Sequence, residues 1–449
     1  DCPAQAAPGT MTATGQRITL LLAAGLALAL LQQQLLLRRP PRLLELESSS
    51  ASSGPAALDL LFSRPMRRSS LVGSSSLQPQ LAWTWLGENN PLRLLLLPGQ
   101  TIPGPLRLLL AGVDRRNLPL GRQQWLWDPR PRLLAVVPVA GGEQLQLQRR
   151  DGSWQALTPV WPQLAQVQPL GNGAGVAVLS GDGMGSHRLW LLPLQQHNLV
   201  REPRRLSEPM AGGLQPLDDA ALLFAHLSSN RRGDLLVQSS TTALDPGSTS
   251  VRSAQGRQWP LTHSASGPMQ LLPEGGGVVV PELEGLTLHN LPGQPHRRQL
   301  LPGSRELSSF CPASGRALLV RHWPDYRRSL ELVEPGQPPR QLWIGSEAVL
   351  ASACDRGGDR VWLVVSNWSQ GSQPLMLALD RSGKLLKQRS LKGWEVEPGA
   401  PMLFDPTRQQ LLLTLRSGSH AKPVLVDGSS LSLQPLAKPV RLALWLPAG

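Results

Sequence analysis

The feature that most constrains this chain is a recurrence. Short apolar stretches, each preceded by a turn, return at 94–97, 133–137, 176–179, 221–224, 278–280, 317–320, 361–365 and 411–415, at intervals of 39 to 57 residues. The turns are rich in Asp, Asn, Pro and Gly, as in Trp127-Asp128-Pro129, Phe310-Cys311 with Pro312 to Gly315, Ala353-Cys354-Asp355-Arg356-Gly357-Gly358 and Phe404-Asp405-Pro406. Those residues supply the φ values and local hydrogen bonds of tight hairpins. A second strand follows most of them, for example at 106–110, 144–148, 330–333 and 375–379, and runs into a Gly-containing turn. A period of about 40–50 residues is that of four-stranded propeller blades. One blade cannot bury both of its faces alone, so blades stack around an axis.

The expected fold is therefore all-β: a single β-propeller of seven or eight four-stranded blades, with eight units counted. A last strand at 440–446 is expected to close the ring beside 81–86. Composition agrees. The 43 Gly and 43 Pro are spread along 449 residues and cut the chain into short pieces.

The N-terminus reads differently. Residues 1–17 form a tail and 18–37 an apolar run close to the ~20 residues a spanning helix needs, so this segment is expected to be a signal-anchor or signal peptide. Residues 38–80 read as a Ser/Pro-rich linker, with 58–62 the piece expected to dock as a helix or strand. The propeller is assigned to 81–449. Arg38, Arg39 and Arg42 outnumber Arg17, which by the positive-inside rule keeps the C-terminal domain in the cytoplasm.

Formal net charge is +13, and of the 44 basic residues five are Lys. An arginine excess suits phosphate or carboxylate recognition, and it equally follows from a genome that inflates Arg, Leu, Ala, Pro and Gly together. The doubled arginines Arg231-Arg232 and Arg327-Arg328 fall in one kind of hairpin and Arg115-Arg116, Arg149-Arg150 and Arg297-Arg298 in the other. Charge is thus spread over both propeller faces, which argues against a specific nucleic-acid groove. Arg231, Arg232, Arg327 and Arg328 are the candidate contacts for an anion or a partner.

Chemistry is hard to find. No Cys-x-x-Cys occurs and the eight His, His296 among them, show no His-x-x-x-His spacing. His226 and His322 are the candidates for a metal or acid–base role if their blades bring them together. The Gly181 to Ser186 run is followed by a strand at 189–192, so it reads as a hairpin loop rather than a phosphate loop. Ser186 and His187 are neighbours on an extended chain and point to opposite sides. Cys311 and Cys354 hold equivalent turn positions in successive repeats. A disulfide there needs Cα atoms within about 7 Å; otherwise both are small semi-buried residues. No catalytic residue, cofactor or metal is assigned, and oligomeric state is not legible.

Trp127-Asp128-Pro129, Phe404-Asp405-Pro406, the 312–315 turn and Asp380-Arg381-Ser382-Gly383 resemble the TolB-like and WD-like β-propeller repeats of exported bacterial proteins. The resemblance implies a propeller on the periplasmic side of the inner membrane; the cytoplasmic side is the alternative that the arginine count favours. The functional expectation is a non-catalytic, membrane-tethered scaffold that binds a protein or an anionic envelope component. The alternative is a propeller enzyme whose central funnel acts on a glycan or lactone.

Overall fold

The computed structural model describes the chain apart from residues 1–12, 50, 52, 89, 219, 243–246, 296–297, 312–314, 368–372, 398, 419 and 449. The 312–314 turn residues, Arg297 and His296 therefore lie outside the described residues. The rest forms helix α1 (Ala13–Arg38), a short helix α2 (Arg68–Ser74) and nine antiparallel sheets.

Seven sheets follow one another around an axis as the blades of a propeller. In blades 2 to 7 the first strand lies innermost: Gln163–Pro169, Phe224–Ser229, Gln270–Leu271, Arg305–Cys311, Ala348–Cys354 and Leu403–Asp405. The second strands carry the apolar runs seen in the sequence, such as Gly175–Gly181 and Arg360–Ser366. Each packs against a neighbouring blade on both faces, so the runs are continuous rather than alternating. Val176, Val178, Val361 and Val364 are fully buried, and each such side chain contributes about 1.5–3 kcal/mol.

Blade 1 closes the ring. The C-terminal strand Leu442–Leu446 pairs with Arg132–Val139, Leu444 opposite Leu134, and supplies its innermost strand. The expected partner at 81–86 is not used. Leu133 and Ala443 instead pack with Leu412 of blade 7, which seals the join with apolar contact.

The first counted unit is not a blade. Its strands Leu92–Leu96 and Leu106–Val113 enter two different sheets. One contains Leu43–Ser49, Ala57–Phe62, Leu92–Leu96 and Trp83–Leu86; the other contains Leu199–Arg201, Pro119–Trp127, Leu106–Val113 and Ser76–Gln78. The two share one apolar core, with Leu58, Leu60, Phe62, Leu71, Leu94, Leu108 and Trp127 almost fully buried. We call this unit the sandwich. The stretch 38–80 is thus folded rather than a linker, because Leu58, Leu60, Phe62, Leu71 and Leu77 supply enough apolar surface to outweigh its serines. Helix α2 lies so close to this sheet that a Cβ at Gly112 would sit 2.8 Å from Leu71 Cδ2.

Blade 2 makes an excursion between its third strand and its last, in which Leu199–Arg201 pairs with Pro119–Trp127 of the sandwich. That insertion shifts the phase of the repeat. The stretch 221–224 leads into the innermost strand of blade 3, and the second strand is Leu235–Ser240.

Sandwich and ring meet at Asp128, which is fully buried. Its carboxylate accepts from Arg130 Nε at 2.8 Å, Arg132 Nη2 at 3.2 Å and Arg150 Nε at 3.1 Å. Arg150 also donates to Asn198 Oδ1 at 2.9 Å in the excursion. Burial opposes the charge on Asp128, but the hydrogen bonds and charges of the arginines outweigh it and hold the pKa below the usual carboxylate value. Burial, reinforced by Arg150, pushes Arg132 down to about 10.

Asp128→Asn removes the anion and leaves buried guanidinium groups facing one another. Urea melts at pH 7 should show a loss of about 3–5 kcal/mol. The folded pKa is depressed, so the contribution is complete above the unfolded value of about 3.9 and is lost as pH falls through the folded one. The gap between wild type and variant should therefore close as the melts are taken from pH 5 to pH 2.

Candidate functional site

The turns joining first to second strands in blades 2, 3, 4, 6 and 7 lie at one mouth of the propeller axis, and the sandwich sits across it. Ile102 N–H donates to Thr407 C=O of blade 7 at 2.7 Å. Arg130 Nη1 donates to Pro103 C=O at 2.9 Å. A cavity of about 560 Å³ at the junction has walls from Leu46 and Ser48 of the sandwich, Asn172 and Gln196 of blade 2, and Ala448 at the chain end. Arg93, bonded to Asp59 at 2.6 Å within the sandwich, is close enough to blade 4 for Glu274 to act on its charge. We call this the capped face; the other is the open face.

At the capped mouth four blades contribute charge. Arg231 lies in the turn of blade 3, Glu274 in that of blade 4, Arg356 in that of blade 6 and Asp405 at the start of that of blade 7. Arg231 pairs with Glu274 at 3.4 Å, and its backbone N–H donates to Pro273 C=O at 2.9 Å. Asp405, fully buried, accepts from Thr407 Oγ1 at 2.6 Å and Arg408 Nη1 at 2.8 Å. Arg356 comes from the far side of the ring, yet Arg231, Asp405 and Glu274 all act on it. Loss of solvation, then Arg231, push its pKa down to about 9. Its Nη1 is buried with no hydrogen-bond partner.

The six residues expected from sequence do not gather. Arg231 belongs to the axial group, where burial lowers its pKa against the pull of Glu274. Arg232 is exposed beside it and donates from Nε to Glu274 C=O at 3.0 Å. Arg327 and Arg328 lie in the hairpin between second and third strands of blade 5, on the open face, with Arg327 paired to Asp325 at 2.7 Å. The two pairs were expected in one kind of hairpin; the phase shift at blade 3 puts them at opposite ends of the molecule. His226, on the innermost strand of blade 3, meets Gln270 Nε2 of blade 4 at 3.1 Å, and burial lowers its pKa. His322 ends the second strand of blade 5 and faces Glu306 at 3.4 Å. The two histidines are not neighbours. Among the described residues no three His, Cys, Asp or Glu side chains could hold a metal together.

Cys311 and Cys354 end the innermost strands of blades 5 and 6 and form a disulfide, with Cα atoms 5.3 Å apart. Arg356 was missed by the sequence reading because it is a single arginine in an ordinary Asp-Arg-Gly-Gly turn. Nothing local distinguishes it from the single Arg360 that follows.

No protein-family model matches the chain, and no curated protein matches it. Similar solved structures include a putative 6-phosphogluconolactonase from Bacteroides uniformis (12% identity, TM-score 0.45, 71% of this chain and 100% of that one). TolB from Acinetobacter baumannii is 12% identical with a TM-score of 0.40 over 83% of each chain. The β-propeller domain of the Trilobed protease from Pyrococcus furiosus is 10% identical with a TM-score of 0.46, over 76% of this chain and 94% of that one. The chain resembles TolB-like propellers in architecture, and its place among propellers rests on the sheet topology described above.

A desolvated arginine facing another arginine costs stability. Arg356→Met should raise the unfolding free energy by about 1 kcal/mol. Glu274→Gln, which leaves Arg231 and Arg356 less compensated, should lower it. Thermal and urea melts of the two variants at pH 7 test both signs.

Proposed function

We propose that the chain is a non-catalytic binding module of the bacterial envelope that takes a protein or envelope-polymer partner on its open face. One observation carries the reading. Among the described residues the three most exposed large apolar side chains are Leu283, Tyr326 and Met184, at 98, 90 and 89%. Each stands in the turn between second and third strands of its blade, in blades 4, 5 and 2, so all three are on the open face. Apolar groups at the tips of hairpins add nothing to the core, and three on one face are available to a partner that spans the hairpins. Arg327 and Arg328 on the same face supply charge for an anionic partner.

The tether belongs to the same proposal. The described side chains of α1 between Ile18 and Leu35 are exposed, and most are apolar. Among the described residues no helix is long and apolar enough to cross a membrane. We propose that α1 directs or holds the chain at the inner membrane from the periplasmic side. It leads into the sandwich at Leu43–Ser49, so the open face would be turned away from the tether.

Met184→Ser, Leu283→Ser and Tyr326→Ser together remove the tips without touching a core. The triple variant should melt within about 0.5 kcal/mol of wild type. A photo-crosslinker is placed at the exposed Glu284, beside the tip of blade 4. In native cells it should capture a discrete partner in the wild-type background and lose it in the variant with Met184 and Tyr326 replaced. Equal capture in both backgrounds would overturn the reading.

A further inference from the structure

The axial mouth carries an inference separate from the open face. Arginine is abundant in this chain, and the arginines that are buried or half-buried at the blade junctions are often matched to a carboxylate. Arg130, Arg132 and Arg150 share Asp128; Arg316, Arg340 and Arg381 share the buried Glu334 at 2.7, 2.8 and 2.5 Å; Arg305 bonds Glu331 at 2.8 Å. Arg356 departs from that pattern. It lies in the turn of blade 6 at the capped mouth, one of its terminal nitrogens is buried without a hydrogen-bond partner, and Arg231 is close enough to act on its charge.

The local charges do not cancel. Asp405 is taken by Arg408, and Asp59 by Arg93. Glu274 pairs with Arg231, and Arg232 lies against its backbone. Arg356 is left as positive charge in excess, with its Nη1 shut off from solvent. Pairing it with an apolar wall or another carboxylate of the chain would have been the stabilising arrangement. Keeping a guanidinium there is useful when an anion arrives to share it.

We propose that Arg356 and Arg231 form a binding site for a small oxyanion, a carboxylate or phosphate group, at the propeller axis beneath the sandwich. Two guanidinium groups from different blades can converge on one oxyanion, each through parallel N–H···O bonds. The low local solvation makes such bonds stronger than the same pair would be on an open surface. The sandwich covers the capped mouth, so the anion is a small molecule or the end of a chain reaching along the axis, rather than a broad polyanionic surface.

The test uses the full chain at constant ionic strength, with sodium phosphate and sodium citrate as probes and sodium chloride as the reference. Thermal shift and isothermal titration should show saturable binding of phosphate or citrate by the wild type. Arg356→Met should weaken it at least tenfold while the protein remains folded, since that variant loses no paired charge. Arg231→Met should weaken it as well, and Arg327→Met on the open face should leave it unchanged. Tighter binding of citrate identifies a carboxylate ligand and tighter binding of phosphate a phosphorylated one. No saturable binding, or binding that survives Arg356→Met, overturns the proposal. Loss of partner crosslinking at the open face would leave this result untouched, so the two proposals fail separately.

Discussion

The buried carboxylate of Asp128 is the interaction on which the two halves of the molecule depend. It stands at the end of the sandwich strand Pro119–Trp127 and just before the blade strand Arg132–Val139. Arg130 and Arg132 bind it from the local turn, and Arg150 binds it from the outer hairpin of blade 1. Arg150 then carries the connection to Asn198, whose Nδ2 donates to Ala448 C=O at 2.6 Å at the closing end of the ring. One anion thus ties together the sandwich, the first blade, the excursion of blade 2 and the C-terminal strand. A buried charge is a poor source of stability beside an apolar core. What it contributes is a fixed orientation, since three guanidinium groups converge on one carboxylate.

The same device recurs elsewhere in the ring. Glu334 and Glu331 gather arginines in blades 5 and 6 as Asp128 does in blade 1. Neighbouring blades are stapled further by the Cys311–Cys354 disulfide and by Ser308 and Ser352, whose hydroxyls lie 2.7 Å apart. Part of the basic composition is therefore structural, with sixteen arginines held in ion pairs among the described residues.

The blade strands were legible because each second strand packs on both faces and so reads as an unbroken apolar run, as at 361–365. Tandem hairpins also keep their partners close in sequence. The closing strand was recognised as a strand, but its partner was not. Leu444 and Leu134 lie at opposite ends of the domain, and nothing local favours 133–137 over 81–86. The sandwich was hidden for a related reason. Leu92–Leu96 and Leu106–Val113 look like two strands of one blade, and only the tertiary fold sends them to different sheets. Leu199–Arg201 was invisible as a sandwich strand because its partners precede it by a whole blade. Of the axial group, Arg231 stood out for being doubled; Arg356, Glu274 and Asp405 are set in separate turns and become a group only when the ring closes.

The sandwich lies across one propeller face and leaves the other free. Native-state hydrogen exchange at Ile102 tests this most directly, because its amide donates to Thr407 across the boundary between the two units. If the sandwich is docked as described, Ile102 exchanges as slowly as the blade amide of Val178. Exchange at Ile102 as fast as at the exposed turn of Leu283 would show the two units to be separate, and the capped axial site would not exist.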